Sequence, residues 1–256
     1  MSGGLVARLK AQLRQRADFS EVLAGSWSAL SADALARRPV YLEEEGTVLL
    51  GDIFDVQGVA NGRIRFVGNL EHADRIAAGL TEGGEVLVEG NVGEEAGLAL
   101  AGGALIIEGN AGPRAGAALP GFKRGMTGGE LVVRGSAGAG AGAHMRRGLI
   151  VIGGQAGNQT GISMIAGTVV VFGAAGDDPG LWSRRGTVVA LGRIVPPLTY
   201  SYACTYQPIY LRLLFTRLRN RYGMPVRPRH LNGYYRRYSG DMAELGKGEI
   251  LAWTAR

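Results

Sequence analysis

Charged side chains that recur at one position of a repeated sequence frame are the strongest candidates for acid–base chemistry. Glu89, Glu108 and Arg134 each stand five residues after the first glycine of a frame, and Glu85 and Glu130 directly follow that glycine. Two carboxylates about 5 Å apart in neighbouring repeats can share a proton, which raises the pKa of one of them. Such pairs act as acid and base in the hydrolysis of polysaccharides. We favour the simpler interpretation that Arg134 closes an exposed polar ladder.

Two arginine pairs and two further cations form a second candidate site. The pairs occupy the same position of frames two repeats apart, which corresponds to about 10 Å in a stack of parallel strands. The two further cations lie in an insertion between residues 112 and 129, and inserted loops often bind ligands. The hypothesis is a basic patch for an anionic ligand, and the alternative is a solvated edge or a salt-bridged contact with another protein chain. The residues are Arg146, Arg147, Arg184, Arg185, Lys123 and Arg124.

Other residues that could bind a ligand or act in catalysis give weaker evidence for a site. Residues 138–143 match a loose dinucleotide-binding pattern, but the next repeat begins at Gly148, where that motif requires a helix. The three histidines, His72, His144 and His230, are far apart in sequence, which argues against a metal site. The single cysteine, Cys204, has tyrosines around it and no histidine nearby, so we expect a buried thiol. The sequence therefore predicts no catalytic residue and no metal ligand in this chain.

A seven-residue frame, glycine followed by five mostly apolar residues and a second glycine, organises the centre of the chain. Its seven copies start at Gly62, Gly84, Gly103, Gly129, Gly148, Gly167 and Gly186, at intervals of 22, 19, 26, 19, 19 and 19 residues. Five copies continue as G-xx-G-xxx-G. Nineteen residues are too few for a strand and a crossover helix, and a fixed period of this length is typical of a solenoid. We predict an all-β fold, a right-handed parallel β-helix of about seven coils.

Alternation along each frame predicts which side chains point outward. In the second frame Val86 and Val88 point into the bore, so that Leu87 points out. The outward position is apolar in six successive frames, and these residues form a stripe about 24 Å long: Leu87, Ile106, Val132, Val151, Val170 and Val189. The segment 206–222 has one apolar helical face and would be about 25 Å long. We predict that this helix, or failing that a partner subunit, covers the stripe.

The flanking segments lead to a division into three parts. We expect short helices in residues 1–45, one basic and amphipathic over Leu5–Arg16 and one from Ser31 to Arg38. Residues 46–195 form the β-helix, and residues 196–256 form a helix and an extended arm. The uncharged run 148–176 is long enough to span a membrane, but it keeps the repeat and is better explained as two buried coils. No secretory signal opens the chain, so we expect a cytoplasmic protein without a membrane or nucleic-acid role.

The glycine coils resemble a β-helical domain shared by the large subunit of glutamate synthase and the β-helical subunit of formylmethanofuran dehydrogenase. Residues 50–58 (LGDIFDVQG) and 199–210 (TYSYACTYQPIY) resemble the form of the latter subunit from bacterial methylotrophs. That resemblance covers roughly residues 46–222. It implies a complex that passes one-carbon units from formyl-tetrahydromethanopterin, through a methanofuran-like carrier with a polyanionic glutamate chain, to formate.

The resemblance implies a non-catalytic scaffold subunit with formyltransferase and amidohydrolase-like partners. The carrier and a metal are then expected in the partner subunits, with no cofactor bound by this chain, except that the basic patch is a candidate guide for the carrier. Two alternatives stay open. One is a stand-alone β-helical enzyme that acts on carbohydrate through Glu89 and Glu108, and the other is a detached glutamate-synthase-like domain.

Overall fold

The computed structural model describes residues 4–25, 27, 29–59, 61–81 and 83–255. Four helices occur in these residues: α1 (Ala32–Ala36), α2 (Leu50–Ile53), α3 (Ile209–Tyr222) and α4 (Pro228–Leu231). The strands are β1 (Leu5–Leu9), β2 (Ala17–Asp18), β3 (Pro39–Leu42), β4 (Gly46–Leu49), β5 (Phe54–Gln57), β6 (Arg63–Val67), β7 (Ala73–Asp74), β8 (Glu85–Glu89), β9 (Ala104–Ile107), β10 (Glu130–Val133), β11 (Leu149–Ile152), β12 (Thr168–Val171), β13 (Arg185–Ala190), β14 (Ser201–Tyr206), β15 (Tyr234–Gly240) and β16 (Lys247–Thr254). The fold is thus mostly strands.

Twelve strands form one sheet, and the repeated frames supply its centre. The strand order is β14-β15-β16-β13-β12-β11-β10-β9-β8-β6-β1-β5, and every neighbouring pair from β6 to β13 is parallel. Equivalent frame positions face each other, as at Val132↔Val151 and Val151↔Val170. A second line of parallel bridges also steps through the repeats, Leu70↔Val92↔Ala111↔Ala137↔Ala156↔Ala175. Successive repeats therefore pair at two separate places. A four-stranded sheet, β4-β3-β2-β7, lies in the N-terminal region.

The spaced glycines allow neighbouring repeats to approach closely. A Cβ at Gly112, the middle glycine of its motif, would lie 2.6 Å from the Gly93 carbonyl oxygen of the preceding repeat. The third glycine needs a left-handed backbone instead, with φ of +69° at Gly116 and +73° at Gly142. Glycine is suited to both roles because it has no Cβ.

Side chains of the central strands divide between two apolar clusters, as alternation predicts. Val86 and Val88 are fully buried in the larger cluster. Leu87 packs at the border of the second cluster, which also contains the outward residues Ile106, Val132, Val151, Val170 and Val189. Leu211, Phe215, Leu218 and Tyr222 of α3 belong to that cluster too. The prediction that this helix covers the outer stripe is therefore confirmed.

Helix α3 begins later than predicted but ends as predicted. Tyr206 belongs to β14, so the helix starts at Ile209, after Pro208. At the other end Gly223 adopts φ +61° and its N–H donates to the Arg219 carbonyl at 3.0 Å. This left-handed glycine cap is a common helix terminus.

The N-terminal region corrects one prediction. Residues 5–16 do not form an amphipathic helix, because Leu5–Leu9 is a strand that pairs in parallel with β6 and antiparallel with β5. Leu5 and Ala7 are buried. Burial therefore follows the two-residue alternation of a strand and not the four-residue spacing of the leucines. The second predicted helix is present but shorter, Ala32–Ala36, and the Ser31 hydroxyl accepts a 3.1 Å hydrogen bond from the Ala34 N–H.

The predicted C-terminal arm is also wrong. Strands β15 and β16 form an antiparallel hairpin, and β16 pairs in parallel with β13 from Arg185↔Lys247 to Ala190↔Ala252. The tail thus extends the central sheet beyond the last glycine frame. Among the described residues no helix has the length and apolarity that crossing a bilayer requires, and the uncharged run 148–176 contains β11 and β12.

Candidate functional site

The predicted carboxylate ladder is neutralised by arginines. Glu89 Oε1 lies 3.1 Å from Arg65 Nη1 of the preceding repeat, and Glu108 Oε2 lies 2.7 Å from Arg134 Nε of the following one. Each carboxylate therefore has a cationic neighbour one repeat away. This arrangement agrees with the interpretation that Arg134 closes a polar ladder.

The second row of carboxylates attaches α3 to the sheet. Glu130 contacts the Arg217 guanidinium and the Tyr222 hydroxyl, and Arg221 Nη1 lies 3.7 Å away. Burial raises the pKa of Tyr222, and its hydrogen bond to Glu130 raises it further. Glu85 lies 3.9 Å from Arg63. A cavity of about 550 Å³ is lined by Arg63, Glu85, Glu130, Arg217 and Arg221, but these charges are already paired with one another.

A basic cavity of about 540 Å³ opens at another corner of the repeats. Its lining consists of Lys123, Arg124, His144, Arg146, Ser163, Ile165, Trp182, Arg184 and Glu244. Four of the six predicted patch residues therefore meet in one place. Arg147 and Arg185 are not among the lining residues; both are exposed, and Arg185 starts β13 opposite Lys247.

The 19-residue repeat explains why these side chains meet. His144, Ser163 and Trp182 are equivalent residues of successive repeats, with φ of +58°, +55° and +58°. Arg146 and Arg184 are also equivalent, and their N–H groups donate to the Met126 and Met164 carbonyls at 2.8 and 2.9 Å. Equivalent positions lie above one another, so a residue type that recurs in the repeat becomes a column.

Two acidic residues from the tail pack against this corner, and one of them, Glu244, lines the basic cavity. Asp241 is fully buried and accepts hydrogen bonds from the N–H groups of Trp182, at 2.7 Å, and Ala243, at 2.9 Å. It thereby holds the turn between β15 and β16 against the Trp182 corner. Glu244, in that turn, lies 3.3 Å from Arg184. Sequence reasoning missed both residues, because no sequence pattern links the tail to this corner.

The histidines lie in three separate environments. Burial lowers the pKa of His144 in the basic cavity, and the charge of Arg114 lowers it further. His72 Nδ1 lies 2.8 Å from the Leu13 carbonyl oxygen. Burial, with Arg229 and Arg227 nearby, lowers the pKa of His230 to about 4. Within the described ranges no three His, Cys, Asp or Glu side chains are grouped as metal ligands.

Cys204 corrects another prediction. Its thiol is free and exposed rather than buried. Cys204 lies in β14, the strand at one edge of the twelve-stranded sheet, and the first five residues of this strand are all exposed. Tyrosines close in sequence to Cys204 therefore do not enclose it.

The chain is therefore rich in β-strands, and it has a basic cavity and a ladder of carboxylates that pair with its own arginines. No protein-family model matches the chain, and no curated protein matches it. A solved structure does: the formyltransferase/hydrolase complex (FhcABCD) from Methylorubrum extorquens, in complex with methylofuran, contains a chain that is 32% identical. The match covers 98% of this chain and 100% of that one, with a TM-score of 0.79. The chain belongs to the family of subunits of the formyltransferase/hydrolase complex.

Proposed function

We propose that this chain is the non-catalytic scaffold of a formyltransferase/hydrolase complex, the counterpart of the β-helical subunit of formylmethanofuran dehydrogenase. The observation that carries the proposal is the end-to-end match, at 32% identity, to one chain of such a complex. The ion pairs of Glu89 and Glu108 support the absence of a catalytic role. They also make the stand-alone carbohydrate enzyme less attractive, since each carboxylate already has an arginine partner.

The central sheet is, in this proposal, a right-handed parallel β-helix of about seven coils, akin to the domain in glutamate synthase. Support comes from the parallel ladders between equivalent frame positions and from the second line of bridges. Two separate lines of pairing per repeat are what a chain wound over itself requires. The hand follows from the general preference of parallel connections. The division into residues 1–45, 46–195 and 196–256 belongs to the same proposal.

The partners in this proposal are a formyltransferase subunit and a metal-dependent, amidohydrolase-like subunit in the cytoplasm. Together they would move a formyl group from tetrahydromethanopterin to a methanofuran-type carrier and release it as formate. The basic cavity would guide the anionic glutamate chain of that carrier. Four cationic side chains against one carboxylate, Glu244, support this role, and methylofuran is present in the related complex.

The decisive experiment is reconstitution. This chain is produced with and without the transferase and hydrolase subunits of the same organism, and formate release is measured. We expect no turnover by the chain alone, stable copurification with both subunits, and a loss of complex when the chain is omitted. Turnover by the chain alone would contradict the scaffold role, and a fully active assembly that lacks the chain would contradict its place in the complex.

A further inference from the structure

The segment from Val195 to Gly240 has an extreme charge imbalance. It contains eight arginines and no aspartate or glutamate, although the whole chain has 28 basic and 22 acidic residues. The segment contains β14, α3, α4 and β15. A surface made of it is necessarily basic unless other parts of the chain neutralise it.

Only part of that charge is neutralised within the chain. Arg217 and Arg221 contact Glu130, and Arg237 lies 3.0 Å from Glu249. In the described part of the chain, Arg212 and Arg219 form no ion pair. Both are exposed on α3, seven residues and therefore two turns apart on the same side of the helix.

Two exposed aliphatic side chains lie beside these arginines. Ile209 is 76% exposed and Leu213 is 73% exposed, and their spacing of four residues brings them together on one face. The opposite face of α3 is the one that packs on the sheet through Leu211, Phe215 and Leu218. The outer face of α3 is therefore apolar in its N-terminal half, and the basic residues lie beside this apolar part and after it.

The strand that precedes this helix has an open edge. Within the described residues β14 pairs only with β15, and its sequence, SYACTY, contains no charge and no proline. Tyr202 is 58% exposed. An uncharged edge strand offers unpaired N–H and C=O groups to another chain, and proteins usually protect such edges.

We infer that β14 and the outer face of α3 form a docking surface for another protein subunit of the complex. The surface is defined by residues 201–206 together with Ile209, Arg212, Leu213 and Arg219. The partner that it fits presents acidic side chains around an apolar contact. The inference rests on the proposed membership in a formyltransferase/hydrolase complex.

Charge and chemistry argue against two other occupants. A second copy of this chain would bring an equally basic surface, and like charges repel. A nucleic acid would match the charge of the arginines, but its charged phosphate backbone offers no apolar partner for the exposed Ile209 and Leu213. Acidic protein surfaces satisfy both the arginines and the exposed aliphatic pair.

Paired variants test the surface in the full-length chain produced with the transferase and hydrolase subunits. The first is Ile209→Glu with Leu213→Glu, the second is Arg212→Glu with Arg219→Glu, and the control is Arg14→Glu with Arg37→Glu, two exposed arginines of the N-terminal region. Thermal melting checks that each variant folds. We expect at least tenfold weaker assembly for both test pairs and wild-type assembly for the control. For the arginine pair the loss should shrink at high salt.

Cys204 provides an independent readout because it is the single cysteine and is exposed on β14. Its alkylation by a maleimide should slow at least tenfold when the partner subunits bind. An unchanged alkylation rate in an assembled complex would overturn the inference.

Further outcomes separate the inference from the proposed function. If the wild-type chain assembles and both test pairs assemble equally well, the inference is wrong while the proposed function stands. If the wild-type chain does not associate with those subunits, the proposed function fails and the inference falls with it. Binding to an RNA or DNA duplex that the variants lose, with assembly intact, would assign the surface to nucleic acid and overturn the inference.

Discussion

The α3-covered face of the sheet and the basic cavity are built from the same repeats, yet they treat charge in opposite ways. On the covered face Glu108 meets Arg134, and Glu130 meets Arg217 and Tyr222. In the basic cavity four cations converge, and among the described residues Glu244 is the one acidic side chain that lines it. Stacked repeats place equivalent side chains close together, so like charges repel unless something neutralises them. The covered face uses its charges to hold the fold together, and the basic cavity leaves most of its charges available to a ligand.

The largest effect is expected on the covered face, where Phe215→Ala should break the packing of α3. The Phe215 ring is fully buried, with its centroid 6.5 Å from those of Phe172 and Tyr235. Truncation should lower the free energy of unfolding by about 3–5 kcal/mol. Leu213→Ala, on the exposed side of the same helix, should change it by less than about 0.5 kcal/mol. Urea denaturation measures both, and similar values for the two would contradict the assigned facing of α3.

The next effect concerns His230, which packs on the covered face. Its ring lies 6.3 Å from Phe172 and 6.0 Å from Trp253, and its pKa is lowered from 6.5 to about 4. The unfolded chain therefore binds more protons than the folded one between these values. The free energy of unfolding should fall by something on the order of 2 kcal/mol as pH drops through that window.

Substitution of this histidine isolates its share of the acid sensitivity. His230→Phe should remove that part of the loss between pH 6.5 and 4, because no group remains at this position to bind the proton. Unfolding of the wild type and of His230→Phe, measured across the same pH series, checks this, and an unchanged slope in His230→Phe would contradict the assignment.

The basic cavity is tested by reversal of its two equivalent arginines. Arg146→Glu with Arg184→Glu should raise the KM for an anionic carrier about tenfold at low salt and less at high salt. Arg147→Glu with Arg185→Glu is the matched control, since it makes the same charge change at neighbouring residues that do not line the cavity. Equal effects of the two pairs would indicate that the general positive charge of this region, and not the cavity, attracts the carrier. An unchanged KM in an intact complex would remove the cavity from the proposal.

The smallest effect is expected from the carboxylate ladder. Glu89→Gln with Glu108→Gln should leave formate release by the assembled complex within a few-fold of wild type, because both carboxylates serve ion pairs with Arg65 and Arg134. Loss of an acid–base residue typically costs a hundredfold to ten-thousandfold. A loss of that size would indicate that these residues are catalytic and would contradict the scaffold interpretation.

Local patterns were reliable wherever the repeat itself imposed the structure. The inward and outward residues of the frames and the end of α3 at Gly223 were predicted correctly. The patterns failed at the ends of the chain. Leu5–Leu9 has a helical leucine spacing but lies between β5 and β6, since pairing with two neighbouring strands stabilises this segment more than a short isolated helix would. The prediction that Cys204 is buried was wrong because the exposure of β14 depends on strands that are distant in sequence.

The sequence by itself determined the stacking of the repeats and the meeting of Arg146 with Arg184. A fixed period places equivalent residues in one column, so spacing alone predicts proximity. Only the tertiary structure decided that the tail returns to the sheet, with β16 beside β13. It also decided that Asp241 binds the Trp182 N–H and that Glu244 reaches the basic cavity. Glu244 is 60 residues away from Arg184 in the chain. No periodic pattern connects them, and their contact follows from a free sheet edge that accepts β16 and from a buried carboxylate that requires hydrogen-bond donors.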